Sequence, residues 1–239
     1  MVTAGDGWRS TLLRYNERYM RSLACVALVL LASTAFTQTV KRPNREAAKV
    51  VWEPPEWDFP ENVKATVSRE MLSAFRVSGY QIRLDETSMK EVQQRLGGVM
   101  ARRGDAGDAL EWLCFHGTDE IGRWVLWLES GEISGGSVGS FQWQRVSSYD
   151  VLDARCHNLR KADSVVQLSL SLKLGSTLAE VSNNLGPPTS KTDERLFYLH
   201  EHEVEGNRAG EPFISSNIVV VHLRHGIVWA IQASKTTSD

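Results

Sequence analysis

The sequence predicts an α+β protein of two tandem repeats, each a short helical segment packed on an antiparallel sheet of three to four strands. Three observations carry that expectation. A capped amphipathic helix motif occurs twice, 89 residues apart; an alternating apolar run precedes each copy; and three β-like runs follow each copy in the same order. One short helix cannot bury a sheet on both sides, so each repeat is expected to cover one sheet face and leave the other open.

The 239-residue chain is 42% hydrophobic and 23% charged, a balance that supports a packed core and excludes intrinsic disorder. Its net charge of −2, with no long run of Lys or Arg, excludes nucleic acid as an expected partner.

The first expected element is an export signal over residues 1–35. Arg14, Arg18 and Arg21 precede the apolar run Leu23 to Phe36, too short to span a bilayer comfortably and suited to a signal h-region. Ser33-Thr34-Ala35 supplies small residues for cleavage after Ala35. A start at Met20 would give a compact signal, with residues 1–19 an over-extended gene reading. The alternative is an uncleaved anchor, the one route by which the chain would touch a membrane. Cys25 stands at the head of the apolar run rather than after it, which argues against a lipidated cysteine. Cleavage removes four basic and two acidic residues and leaves a mature charge of −4. Cys114 and Cys156 then remain, an even number in an oxidising compartment, and are expected to pair; two separate buried thiols are the alternative.

Residues 36–62 carry Pro43, Pro54, Pro55 and Pro60 among polar residues and read as a spacer, within which Trp52 and Trp57 either fold back onto the body or mark a contact site. The first repeat is expected over 63–146. Val77, Tyr80, Ile82 and Leu84 alternate around Gly79 as an irregular strand would. Ser88 and Glu91 form a capping box, Met89, Val92 and Leu96 share a helix face, and Gly97-Gly98 stop the helix. Leu110 to Phe115, Trp124 to Leu128 and Ser140 to Val146 follow as strands.

A connector over 147–164 leads to the second repeat, 165–239. Val166, Leu168, Leu170, Leu172 and Leu174 alternate as one strand. Thr177 and Glu180 repeat the capping box, Leu178, Val181 and Leu185 the apolar face, and Gly186 the stop. Strands at 196–200, 217–223 and 227–232 follow, the last two joined by a tight hairpin at Arg224-His225-Gly226. Glu91, Val92, Leu96 and Gly97 superpose on Glu180, Val181, Leu185 and Gly186 at the 89-residue offset.

Leu174-Gly175-Ser176-Thr177, Glu180-Val181, Leu185-Gly186-Pro187-Pro188-Thr189 and the closing Gly226-Ile227-Val228 resemble the SmpA/OmlA family, small outer-membrane lipoproteins of the β-barrel assembly machinery, and more loosely the tandem β-lactamase-inhibitor-protein fold. The resemblance covers about 70 residues of the second repeat, strongest over 170–235. It implies an envelope protein, periplasmic or secreted and open to outer-membrane association, that works by binding other proteins. The missing lipobox cysteine, the duplication and the long spacer depart from the assembly-machinery pattern. No cofactor is implied.

Sought chemistry is sparse. Gly135-Gly136-Ser137-Val138-Gly139 matches a nucleophile elbow, but an alternating β pattern follows where a helix is needed. Arg103-Gly104-Asp105 reads as ordinary loop. His200, His202, His222 and His225 offer a metal-binding edge without a cysteine or carboxylate cluster to complete it, and a metal-dependent enzyme on that edge is the rival reading; a purely structural secreted scaffold is another. The aromatic distribution points to protein binding instead. Alternation sets Trp124 inward with Leu126 and Leu128 and Trp127 outward, and sets Val219, Val221 and Leu223 inward with Val220 and His222 outward. With Phe197 and Leu199 taken as core, Tyr198, His200 and His202 join the outer face. Trp112, Trp127, Gln142, Tyr198, His200, His202 and His222 are therefore the expected partner-binding residues, for an envelope protein as partner. The competing reading is that the two sheets pack on each other or that the spacer covers them.

Overall fold

The computed structural model describes residues 48–56, 59–60, 63–105, 107–159, 166–205 and 212–238; the expected export segment and Trp57 lie outside them. The described residues belong to one compact unit.

The three strand runs expected after each helix motif all form. β5 (Leu110–Thr118), β6 (Arg123–Gly131) and β7 (Ser140–Arg145) follow α1 (Met89–Leu96), and β12 (Arg195–Val204), β13 (Phe213–Arg224) and β14 (Ile227–Ser238) follow α2 (Leu178–Leu185). Each set is an antiparallel meander. Its period-2 apolar residues on one face, broken by glycine-bearing turns, explain why these segments are strands.

The expected fold class is overturned. Among the described residues 47% are strand and 11% helical, with two helices of eight residues each, and the two meanders do not form separate sheets. β14 pairs with β7, from Ala230 opposite Gln144 to Ser234 opposite Ser140, which fuses them into one sheet of nine strands. β4 (Ala101–Arg103) and β11 (Ser190–Lys191) lie at its ends, and β9 (His157–Asn158) adds in parallel to β5. The physical reason is the edge. Two separate sheets would each leave a row of unpaired backbone groups, and joining the last strand of one meander to the last strand of the other satisfies both rows.

Directly opposed residues share a face, so register defines the two sides of the sheet. One row reads Leu113, Leu128, Phe141, Ala233, Val219, Tyr198; the next reads Cys114, Trp127, Gln142, Gln232, Val220, Phe197. The first row lies in the main core. Met89 and Val92 of α1, Val181 and Leu185 of α2, and Phe75, Val77 and Ile82 of a small three-stranded sheet cover it. That small sheet is β2 (Ala74–Val77), β3 (Tyr80–Arg83) and β10 (Val166–Leu168), in the order β10-β2-β3. Phe75 packs at a tilt against Phe141 with ring centroids 4.4 Å apart, and Trp124 meets Trp143 edge-on at 6.3 Å. Each such ring contributes roughly 2–3 kcal/mol through burial.

Local expectations change in three places. The strand expected through Gly79 is a hairpin, because Ser78 (φ 52°) and Gly79 (φ 79°) both take left-handed backbone and turn the chain between β2 and β3. The strand expected from Val166 to Leu174 stops after Leu168 at a single 3₁₀ turn, Ser169–Ser171, in which Leu170 has φ 65°; Leu172 and Leu174 still reach the core. Of the two capping boxes only the second forms. Thr177 Oγ1 accepts from the Glu180 N–H, and Glu180 Oε2 accepts from the Thr177 N–H at 2.6 Å. Ser88 makes no side-chain cap, and the Met89 N–H donates to Gly136 O instead. The hairpin at Arg224-His225-Gly226 forms as expected, with φ 52° at His225 and 75° at Gly226.

Candidate functional site

The second register row, on the side away from the helices, is the face expected to lie open. Over the β5–β7 half it is covered by the chain's own proline-rich segment, in keeping with the competing reading in which the spacer covers it. β1 (Val50–Val51) pairs in parallel with β8 (Val151–Leu152), and Val51 and Trp52 are buried against Trp112, Cys114, Val125, Trp127 and Cys156. Four donors from the body reach carbonyls of this strap. The Val151 N–H donates to Lys49 O at 3.0 Å, the Asp153 N–H to Val51 O at 3.1 Å, Trp127 Nε1 to Trp52 O at 3.0 Å and Gln142 Nε2 to Pro55 O at 2.7 Å. Further on, the Thr66 and Val67 N–H groups donate to Leu199 O on β12, and the Met71 N–H donates to Asn217 Oδ1 on the helix-bearing face. The chain therefore passes from one face of the sheet to the other around the β12 edge.

The Trp52 ring sits 5.8 Å from that of Trp112, and the Arg155 guanidinium lies 4.3 Å over it. Asp153 holds Arg155 in place through Oδ1 and Oδ2, and that hydrogen bonding drives the Asp153 carboxyl down to about 2. The Cys114–Cys156 disulfide, with Cα atoms 4.6 Å apart, ties this turn to the sheet beneath Trp52. The sequence therefore paired the right cysteines, and the bridge also anchors the strap's floor.

Beyond Pro55 a hydrogen-bond relay crosses the centre of the sheet. Pro55 offers only a carbonyl, so Gln142 must present Nε2 to it and Oε1 to Gln232 Nε2; Gln232 Oε1 then accepts from His222 Nε2, 2.9 Å away. In this relay His222 Nε2 is the donor. His222 meets Trp229 at 5.6 Å, and the Arg224 guanidinium lies 4.2 Å over the Trp229 ring. Trp229, His222 and Gln144 are half-buried, so this end of the face is the more accessible.

The seven expected partner-binding residues divide. Trp112, Trp127, Gln142 and His222 do lie on this face, but the first three are buried, at 2%, 1% and 1% exposure. Tyr198, His200 and His202 do not lie on it. Tyr198 stands opposite Val219, so register places it in the main core, where its hydroxyl donates to Gly186 O at the end of α2 and burial pushes its pKa up to about 12. The residues taken as core, Phe197 and Leu199, are the ones that face the strap side. His200 Nδ1 donates to Val67 O at 2.8 Å, and exposed His202 lies 5.1 Å from it, ring to ring. Among the described residues no group of three His, Cys, Asp or Glu is placed to hold a metal, and no helix is long and apolar enough to cross a membrane.

Two features escaped the sequence reading. Arg155 and Pro55 carry no local signal of their roles, because their partners are distant in sequence. A groove of about 410 Å³ on the helix-bearing side, whose lining includes Leu178, Ser182, Pro188, Leu196 and Leu223, is the second. Comparison with known protein families, with curated proteins and with solved structures finds no match.

Proposed function

We propose that this chain is a non-catalytic polypeptide-binding module of the bacterial cell envelope, acting in outer-membrane assembly or maintenance or as a protein inhibitor. One observation carries the reading. The sheet face away from the helices already holds a polypeptide, its own strap, through donors aimed at main-chain carbonyls, the mode by which extended peptides are recognised on other scaffolds. The apolar stretch Leu23 to Phe36 supports export, and the resemblance of Leu174 to Thr189 to SmpA/OmlA sequences supports an envelope role.

Photo-cross-linking in intact cells tests it. A benzophenone side chain at Gln144 or Trp229, on the accessible end of the face, is expected to give a discrete protein adduct, whereas one at Arg76, on the outer side of β2, is not. Equal labelling at all three positions, or no adduct at Gln144 and Trp229, contradicts the reading.

A further inference from the structure

The strap carries more than a covering role. Its contacts are those of a ligand: Val50–Val51 extend β8, the Trp52 ring enters a slot between Trp112 and Arg155, and the two prolines that follow bring a carbonyl to Gln142. Proline has a fixed φ and no N–H, so a Pro-Pro pair stays extended and offers acceptors alone. The body answers with donors alone at Trp127 Nε1 and Gln142 Nε2, which reach carbonyls three residues apart. Main-chain carbonyls are the same in any sequence. The face therefore reads an extended backbone, one large aromatic ring and a proline pair, and little else.

We infer that this face is a binding groove for extended, proline-containing polypeptide segments with an aromatic residue two positions ahead of a proline pair, and that the strap is a resident competitor which a partner's segment displaces. The inference rests on the polypeptide-binding reading above and specifies its partner and its regulation. A strap attached to its own groove acts at an effective concentration in the millimolar range. A partner segment consequently binds the closed protein more weakly than the open one, in proportion to the open fraction. The Asp153–Arg155 pair and the disulfide keep the slot shaped while the strap exchanges, because both belong to the body rather than to the strap.

The test uses the full chain and a fluorescently labelled, capped peptide of residues Lys49 to Glu56. The wild-type chain is expected to bind the peptide weakly. Trp52→Ala, which empties the slot of its own ring, is expected to bind it at least tenfold more tightly, and Trp52→Ala combined with Gln142→Ala to lose that gain. Peptides with the tryptophan or both prolines replaced by alanine are expected to bind at least tenfold more weakly than the parent. Val51→Ala, a milder change on the strap, substitutes for Trp52→Ala if that variant does not fold. A folded strap variant with its disulfide intact that binds no better than wild type overturns the inference, as does equal binding of all three peptides. If photo-adducts persist at Gln144 and Trp229 in that case, the binding reading stands and strap exchange alone is lost.

Discussion

Trp127 and Trp52, 75 residues apart in sequence, are joined by a hydrogen bond from the indole N–H to the main-chain carbonyl at 3.0 Å, with both residues buried. This contact turns a proline-rich spacer into part of the fold. Trp127→Phe keeps most of the ring and removes the donor. It is expected to lower stability in urea by about 1 kcal/mol, and to speed proteolysis ahead of Phe59 while leaving β12–β14 protected.

The disulfide closes a loop with a sequence separation of 42. In the chain-entropy model its loss costs about 4 kcal/mol, and both sulfurs are buried. Cys114→Ser combined with Cys156→Ser is therefore expected to lower the urea midpoint sharply. The unreduced, denatured wild-type protein is expected to show neither thiol in a free-thiol assay.

The two helices make an internal comparison. Thr177→Ala removes a formed cap and is expected to cost about 1 kcal/mol, whereas Ser88→Ala removes no cap bond and is expected to be close to neutral. Equal losses in thermal or urea unfolding would contradict the difference in geometry. Glu180 adds a pH signature: the Thr177 backbone N–H holds its carboxyl below the ordinary range. Its folded pKa is depressed, so the cap's contribution is present above the unfolded carboxylate pKa and fades as pH falls through the folded one.

Tyr198 gives the opposite sign at the alkaline end. Burial raises its folded pKa to about 12 from an ordinary value of 10. The contribution is fully present below pH 10 and is lost as pH rises toward 12, because the unfolded chain ionises first. Tyr198→Phe is expected to flatten that part of the stability–pH profile. A tyrosine titrating in the folded protein at its ordinary value by ultraviolet difference absorbance would contradict the burial.

Period-2 alternation makes the strand positions and their two faces legible, though not the fold class. Trp124 inward and Trp127 outward, and Val219 and Val221 inward, follow from that alternation and agree with the register. Alternation splits a strand into two faces without saying which face is the core, and this is why Tyr198 was misplaced: only its pairing with Val219 decides. The fusion of β7 to β14 was illegible for a related reason. A strand's sequence marks what lies above and below it, not which edge lies beside it, so one sheet and two read alike. The strap was legible as proline-rich and irregular, which says nothing of where it rests; Trp52 finds Trp127 and Arg155 through contacts that no short window contains.

A polypeptide lies on the sheet face away from the helices, held by its carbonyls. Indole hydrogen exchange followed by NMR on the intact, oxidised chain reads this at Trp127 Nε1. This proton is expected to exchange orders of magnitude more slowly than a free indole and to become fast in Trp52→Ala. Fast exchange at Trp127 in the folded wild-type protein, with the Cys114–Cys156 bridge in place, would contradict it.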